Sequence, residues 1–278
     1  MASVHEAVRD RYEKAARRSS CCGGAEGAVA NGGSSCCGGS QEHARTASAS
    51  TRVGYTAQEL ASLPEGADLA LGCGNPTALA GLAEGEVVVD LGSGGGIDCF
   101  LAARRVGESG RVIGVDMTPQ MIERARENAA KGGFTNVEFR LGEIEHLPVA
   151  DSTVNVIISN CVVNLAPDKE PVLAEAFRVL APGGRLLVSD LVLEAPLRPD
   201  LQRNMELLTG CIAGAMVKND FLAALRKAGF EDVRIEREGA YLQADQVSSL
   251  AETAQISEAD AREIAERVHS VSVYARKP

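Results

Sequence analysis

The sequence predicts an α/β fold in which helices cover both faces of a mostly parallel sheet. Aliphatic, strand-like runs alternate with segments of helical period, and a glycine-rich turn joins the first such strand to the next helix. The chain has 278 residues, of which 45% are hydrophobic, so it can bury a large core. One main domain is therefore expected, and disorder of the whole chain is excluded.

The first predicted element is a short helix, part of an N-terminal region at residues 1–50 that precedes the main domain at residues 51–278. Val4, Val8 and Tyr12 recur at four-residue spacing, which favours a helix with one apolar face. Its other positions are mostly charged or small, so it lacks the apolar segment of a signal peptide.

A flexible arm is predicted from residue 19 to about residue 50. Gly, Ser and Ala dominate there, and such a composition cannot offset the entropy lost on ordering. The motif Ser-Ser-Cys-Cys-Gly-Gly occurs twice, which places paired thiols at Cys21, Cys22, Cys36 and Cys37. The arm is either a neutral linker or a carrier of those thiols.

The main domain begins with helical signals near Thr56 and at Asn75, which precedes Pro76. Five strands are then predicted for the parallel sheet: Val87–Leu91, Val112–Val115, Val137–Leu141, Val154–Ser159 and Arg185–Asp190. The helices predicted between them are Ile97–Val106, Pro119–Lys131 and Lys169–Leu180. Two later strands, Val233–Arg237 and Val271–Ala275, follow helical stretches at Asn219–Ala228 and Ser257–Val268 and are expected to form an antiparallel edge.

The charge balance excludes several classes of partner. Lys and Arg total 28 against 38 Asp and Glu, a net charge of −10 that repels nucleic acid and anionic lipid. No apolar run approaches the roughly 18 to 20 residues that span a bilayer. We expect a soluble cytoplasmic protein that binds neither nucleic acid nor membrane, and in that compartment its eight cysteines do not form a disulfide framework.

The glycine-rich turn predicts an adenosine-cofactor site. It follows Asp90 and contains Gly92, Gly94 and Gly96, and Asp116 ends the next strand at the distance expected of a ribose-binding acid. The alternative, a tight turn that binds no ligand, would leave the acid at Asp116 unexplained. Asp90 and Asp98 flank the turn, which disfavours a pyrophosphate and suits a cation. S-adenosylmethionine, whose ammonium and sulfonium groups are positive, is the cofactor that fits.

No histidine stands out as a general base, but a thiol does. His5 and His43 lie outside the predicted sheet, His269 is in or beside the last strand, and His146 is read as an exposed turn residue. Cys161 follows the fourth parallel strand, at the sheet edge where ligands bind. Cys73 lies in a Gly-Cys-Gly loop and Cys211 in a segment, around residues 195–217, that can cover the cleft, so three thiols can converge. Cys99 lies among packing residues of a helix and is assigned a structural role.

The run from Val87 to Asp98 resembles the first motif of class I S-adenosylmethionine-dependent methyltransferases, which have a Rossmann-like fold. The resemblance extends from about Glu86 to Asp190 and implies that the glycine turn borders the methionine part of the cofactor. It also implies that the rest of the cofactor site contains Asp116 at the ribose, Met117 at the adenine face, Ile144 and Glu145 at the adenine edge, and Asn160.

Several segments resemble a narrower family, the arsenite S-adenosylmethionine methyltransferases. They are Gly54–Thr56, Leu71–Pro76, Ser159–Leu165 and Gly210–Ala215, and the match covers roughly Gly54 to Gly214. The resemblance implies that Cys161 and Cys211 hold trivalent arsenic, while Cys73 joins them or forms a catalytic disulfide with a cysteine of the arm. All four arm cysteines are candidates for that partner.

The chemistry of arsenic agrees with these residue types. Thiolates suit soft centres, and sulfur-bound trivalent arsenic keeps a lone pair that attacks a methyl group without prior deprotonation. Because methylation oxidises arsenic, two electrons must come from thiols, with thioredoxin or glutathione as the final source. We predict methylation of arsenite or its thiol conjugates, hence arsenic detoxification. The alternatives are a quinone-type carbon methyltransferase, which needs no cysteine set, and a non-catalytic thiol-based metal-binding protein.

Overall fold

A computed structural model describes residues 3–18 and 49–278, and an eight-stranded sheet lies at their centre. Its strands are β1 (Val87–Leu91), β2 (Arg111–Asp116), β3 (Val137–Leu141), β4 (Val154–Asn160), β5 (Leu180–Leu193), β6 (Met216–Val217), β7 (Glu231–Ala240) and β8 (Val268–Arg276). The strand order is β3-β2-β1-β4-β5-β8-β7, with β6 paired to β5.

Eleven α-helices flank the sheet in the described part of the chain, counting those whose ends are defined there. They are α1 (Val4–Arg18), α2 (Ala57–Ala61), α3 (Pro76–Leu79), α4 (Ile97–Val106), α5 (Pro119–Gly132), α6 (Lys169–Val179), α7 (Pro199–Gln202), α8 (Met205–Thr209), α9 (Lys218–Lys227), α10 (Val247–Ala254) and α11 (Glu258–Arg267). None of the helices in this part of the chain is long and apolar enough to cross a bilayer.

The predicted mostly parallel sheet is confirmed. Strands β1 to β5 pair in parallel, and the alternation of strand and helix places crossover helices on both faces. Along β1, Val88 packs with α4 and α5 on one face, whereas Val89 packs with α6 and α9 on the other. This two-sided burial explains why the strands are aliphatic throughout rather than alternating.

The antiparallel edge is also present, and it lengthens β5 beyond its predicted bounds. β8 pairs antiparallel with β5 from Arg185–Arg276 to Leu193–Val268, and β7 pairs antiparallel with β8. The Ala181–Gly184 segment, which precedes the predicted strand, lies within β5 as an irregularity of its register with β4. Pairing partners on both sides therefore set the length of β5, and local sequence does not reveal them.

The carboxyl ends of β1 and β4 form the switch point of the sheet. The connection after β1 leads outward to β2, whereas the one after β4 leads to β5 on the opposite side. A crevice opens where neighbouring connections diverge in this way. The glycine turn after β1 and Cys161 after β4 both face that crevice.

Helix α1 packs against the main domain over this crevice. Its Val8 is only 1% exposed, within an apolar cluster that also contains Cys73, Cys161, Leu207 and Cys211. The sequence predicts the helix but not this position. The predicted Cys-rich arm, with its four cysteines and His43, falls on residues 19–48, which lie outside the described residues.

Candidate functional site

The glycine turn forms one wall of a cavity at the switch point. Gly92 has φ of 69°, and a Cβ there would lie 2.5 Å from Cγ2 of Val162. Only glycine fits this backbone, because both its dihedral angle and its contact exclude a side chain. The cavity is lined by residues of the turn and by Met117, Ile144, Asn160 and Cys161. Each residue predicted to bind the cofactor lines this cavity, apart from Gly96, which belongs to the same turn.

Three carboxylates gather around the turn. Burial raises the pKa of Asp90 well above its usual value, and the neighbouring charge of Asp98 raises it further. Burial also raises the pKa of Asp98, to about 6, although hydrogen bonds from Asn160 and Tyr55 oppose the shift. The pKa of Asp116 is raised by burial as well. A cation placed among the three would favour their ionised forms, so the electrostatics suit a positively charged ligand.

Asp116 is held against the turn by backbone N–H groups. The N–H of Gly94 donates to Oδ2 of Asp116 at 2.9 Å, and the N–H of Thr118 donates to Oδ1 at 2.8 Å. These contacts fix a carboxylate at the end of β2, where a ribose-binding acid is expected.

Ser93 supplies an independent indication of a missing polar partner. Its side chain lines the cavity and is 4% exposed, yet its Oγ has no hydrogen-bond partner. A buried hydroxyl without a partner carries a free-energy cost of about 1–3 kcal/mol. The residues present therefore fit a ligand with a polar group near the turn, as the amino acid part of S-adenosylmethionine has.

At the opposite end of the cavity, the loop after β3 meets helix α1. Ile144 and Glu145 line the cavity, and Glu145 Oε1 lies 2.9 Å from Nε2 of His5. His5 was placed outside the sheet, which is correct, but sequence reasoning missed that it lines the cavity. His146, the other histidine weighed as a base, is exposed.

Asn160 joins the cofactor side of the cavity to the Cys73 loop. Its Nδ2 donates to Oδ2 of Asp98 at 3.1 Å and to the Tyr55 hydroxyl at 2.9 Å. Its Oδ1 accepts from the N–H groups of Cys73 and Gly74, at 3.0 and 3.2 Å. Tyr55 in turn donates to Asp98 at 2.9 Å. Sequence reasoning missed Tyr55, because nothing local to it signals that it meets the turn.

The three predicted site cysteines share the apolar cluster beneath α1. Cys73 and Cys161 form a disulfide, with their Cα atoms 5.8 Å apart. The resemblance implies instead that Cys73 either joins Cys161 and Cys211 in holding arsenic or bonds an arm cysteine, and the arm cysteines lie outside the described residues. The difference arises because Asn160 holds the Cys73 loop directly beside the end of β4, a proximity that depends on tertiary structure.

Cys211 is a free, buried thiol next to that disulfide. Its Sγ donates to the carbonyl oxygen of Cys161 at 3.0 Å. Cys161 and Cys211 both adopt left-handed backbone conformations, with φ of 57° and 65°. Such conformations are uncommon for non-glycine residues and concentrate at functional sites. Burial raises the pKa of Cys211 well above its usual value, and the charge of Asp190 adds to this shift.

Asp190 is a buried carboxylate that sequence reasoning did not single out beyond its place at a strand end. One carboxylate oxygen lies within 4.8 Å of the sulfur atoms of Cys73 and Cys161. It accepts hydrogen bonds from the Asn164 side chain and the Leu191 N–H, both at 2.8 Å. Burial raises its pKa to about 7, against the lowering effect of hydrogen bonds from the Leu191 and Asn164 backbone N–H groups and of the Lys169 charge.

Cys99 lies apart from this cluster. It is fully buried in α4 and its Sγ donates to Oδ2 of Asp90 at 3.2 Å. Burial and the Asp90 charge raise the pKa of this thiol well above its usual value. These properties suit a packing role.

Comparison with known proteins relates this site to a family. A family profile described as a methyltransferase domain matches residues 82–229. The chain is 52% identical over 276 residues to an arsenite methyltransferase of Halobacterium salinarum, covering 99% of this chain and 67% of that protein. It is 44% identical over 171 residues to an arsenite methyltransferase of Aquipseudomonas alcaligenes, covering 59% of this chain and 49% of that protein.

A solved structure agrees with these relatives. CrArsM, an arsenic(III) S-adenosylmethionine methyltransferase from Chlamydomonas reinhardtii, superposes with a TM-score of 0.60 at 40% identity. The match covers 73% of this chain and 66% of that one. The chain thus spans from about half to two thirds of the length of these relatives.

Proposed function

The chain belongs to the arsenite methyltransferase family, and on that basis we propose that it transfers a methyl group from S-adenosylmethionine to thiol-bound trivalent arsenic. The observation that carries the proposal is the contact between the Cys211 thiol and the Cys161 carbonyl. Cys161 also lines the cofactor cavity. Two thiols at this place are what a soft, trivalent centre requires.

The cofactor would be held by the residues around the glycine turn. Asp98 and Asp90 supply negative charge for its ammonium and sulfonium groups, Asp116 accepts from the ribose hydroxyls, and Ser93 gains the hydrogen bond it lacks. Met117 and Ile144 provide apolar contact for the adenine. When bound, S-adenosylmethionine supplies an electrophilic methyl group.

Arsenic would be held by Cys161 and Cys211 after reduction of the Cys73–Cys161 disulfide. Two thiols displace two hydroxides from arsenite, and their protons leave with those hydroxides as water. The arsenic lone pair then needs no base for attack, so the protein's task is alignment at about 3–3.5 Å. The apolar residues around the cysteines keep water away, which favours loss of the sulfonium charge.

Cys73 would return arsenic to the trivalent state. Its thiolate attacks the sulfur of arsenic-bound Cys161, the Cys73–Cys161 bond forms, and the arsenic–sulfur bond breaks. The electron pair of that bond stays on arsenic, which is thereby reduced by two electrons. The product of this step would be a Cys73–Cys161 disulfide, the pairing that the structure contains. A dithiol such as thioredoxin, or glutathione, then reduces it.

The deciding experiment supplies reduced protein with arsenite, S-adenosylmethionine and a thiol reductant. We expect methylated arsenicals, detected by chromatography with arsenic-specific mass detection, and none when the cofactor is omitted. A parallel reaction with a demethylated quinone tests the carbon-methyltransferase alternative. Stoichiometric arsenic binding with no methylated product would instead identify a metal-binding protein.

Arsenic detoxification in the cytoplasm is the physiological role that this chemistry supports. A reducing compartment supplies the thiols that the proposed cycle consumes. Expression in an arsenite-sensitive bacterium should raise its tolerance, and a Cys211→Ser variant produced at the same level should not. Equal tolerance with both proteins would contradict a role of methylation in protection.

A further inference from the structure

Helix α1 bridges the two halves of the site. At the cofactor end, His5 contacts Glu145 at 2.9 Å and Arg9 contacts Glu143 at 3.7 Å. At the thiol end, Arg11 donates to Oγ1 of Thr209 at 2.8 Å, two residues before Cys211. One helix therefore spans from the loop after β3 to the segment that contains Cys211. Its orientation sets the position of the α1 side chains that lie between those two segments.

Tyr12 is the α1 side chain that lies between cofactor and thiol. It lines the cofactor cavity and packs against the apolar cluster that contains the three cysteines. Burial raises the pKa of Tyr12 well above its usual value, and the nearby Cys211 and Asp116 raise it further, so the hydroxyl lies close to both side chains. Tyr12 thus faces the proposed ribose acid and the proposed arsenic ligand at once.

The Cys211 sulfur has a specific need for such a donor. As a thiol it gives its proton to the Cys161 carbonyl. As an arsenic ligand its sulfur has no proton left, so it becomes a buried hydrogen-bond acceptor that a nearby donor would stabilise. Tyr12 packs against the same cluster and brings a hydroxyl that can donate to this sulfur.

We propose that Tyr12 is a positioning residue of the arsenic site, whose hydroxyl donates to the Cys211 thiolate and orients its remaining lone pair toward arsenic on the cofactor side. This inference rests on the proposed function, since it takes Cys211 as an arsenic ligand. It makes α1 part of the site, beside the sulfur that the left-handed backbone of Cys211 holds against the Cys161 carbonyl.

The test is Tyr12→Phe in the full chain, reduced with a phosphine and titrated with arsenite by calorimetry. Loss of a hydrogen bond to the arsenic-bound sulfur should raise the arsenite dissociation constant by about three- to tenfold. The ring is retained, so the S-adenosylmethionine dissociation constant should change by less than about twofold. In turnover, KM for arsenite should rise while KM for the cofactor stays constant, a split that general loss of structure does not produce.

Tyr241→Phe is the matched control. Tyr241 packs against the same cluster, and burial and then the charge of Cys211 raise its pKa, but it does not line the cavity. It should leave the arsenite affinity unchanged. Equal affinity of the wild type and Tyr12→Phe would overturn the inference while leaving the proposed function intact. Failure of the reduced wild type to bind arsenite would overturn both.

A second measurement covers the case in which Tyr12→Phe does not fold. The wild type is labelled with fluorotyrosine at its four tyrosines, and the Tyr12 resonance is identified by elimination with the other three Tyr→Phe variants. Addition of arsenite should shift that resonance, because the Cys211 sulfur loses its proton and accepts a hydrogen bond from the hydroxyl. An unshifted Tyr12 resonance at saturating arsenite overturns the inference.

Discussion

The thiol of Cys211 donates to the backbone carbonyl of Cys161 at a distance of 3.0 Å. The two residues are 50 positions apart in sequence, and each has a left-handed backbone. This contact joins the loop after β4 to the segment after α8. Cys161 lines the cofactor cavity, and Cys211 lies directly behind it. Reduction of the Cys73–Cys161 disulfide would leave the thiols of Cys161 and Cys211 next to each other.

Replacing either of these cysteines with serine should abolish arsenic methylation. A serine hydroxyl is a poor ligand for a soft centre, so Cys161→Ser and Cys211→Ser should each lower turnover by at least about 100-fold. Cofactor binding, measured by calorimetry with S-adenosylmethionine, should stay close to that of the wild type. Retained methylation in either variant would remove that thiol from the site.

Cys73→Ser separates arsenic binding from electron supply. Without Cys73 the disulfide cannot form, so arsenite should bind to Cys161 and Cys211 without prior reduction, whereas the oxidised wild type should need a reductant. Rapid-quench measurement should find about one methyl transferred per enzyme, followed by slow turnover. Undiminished multiple turnover with every reductant tried would contradict the electron-donor role of Cys73.

Cofactor affinity should weaken as the pH falls below about 6, the pKa of Asp98 in the free protein. Above that pH the carboxylate is ionised and attracts a cation. Below it the carboxylate is protonated and the attraction is lost, which raises the dissociation constant by up to about tenfold per pH unit. Fluorescence or calorimetric titration across this range checks the slope.

The matched variant for this experiment is Asp98→Asn, which should bind the cofactor weakly and with a flatter pH dependence. The other two acids beside the glycine turn, Asp90 and Asp116, are unchanged in it. An identical slope in the variant and the wild type would assign the titration to one of those acids instead.

Gly92→Ala should destabilise the protein and weaken cofactor binding. A Cβ at this position meets Val162 at 2.5 Å and the backbone has φ of 69°, so overlap adds to conformational strain, for a total of about 2–4 kcal/mol in the free energy of unfolding. Gly133→Ala is the control, since φ there is 68° and a Cβ meets nothing within 4 Å. It should cost about 1 kcal/mol in urea denaturation and leave cofactor affinity unchanged. Equal losses in the two variants would show that contact with Val162 is unimportant.

Local pattern carries much of the fold. The bounds of β1 and α4 match their predictions because an unbroken aliphatic run and a helical period are properties of a few consecutive residues. The glycine turn and Asp116 were recognisable because a phosphate-free cofactor site needs glycine backbone and acids at a standard spacing. Resemblance, and not periodicity, was the source of the arsenic hypothesis.

Other features of the site depend on contacts between distant segments. The Cys73–Cys161 pairing spans 88 residues and is set by Asn160, whose side chain draws the Cys73 loop to the end of β4. Tyr55 meets Asp98 across 43 residues, and nothing in its own neighbourhood indicates that contact. Asp190 became notable only when both cysteines were found beside it.

The sequence by itself determined the α/β architecture, the cofactor turn and which residue types are available for chemistry, because these follow from short-range periodicity and from the intrinsic properties of side chains. Only the tertiary structure decided which thiols meet, that α1 covers the site, and that Tyr12 faces Cys211. Those outcomes depend on how helices and loops pack on the completed sheet. Packing sums many weak, long-range contacts, and no single stretch of sequence contains them.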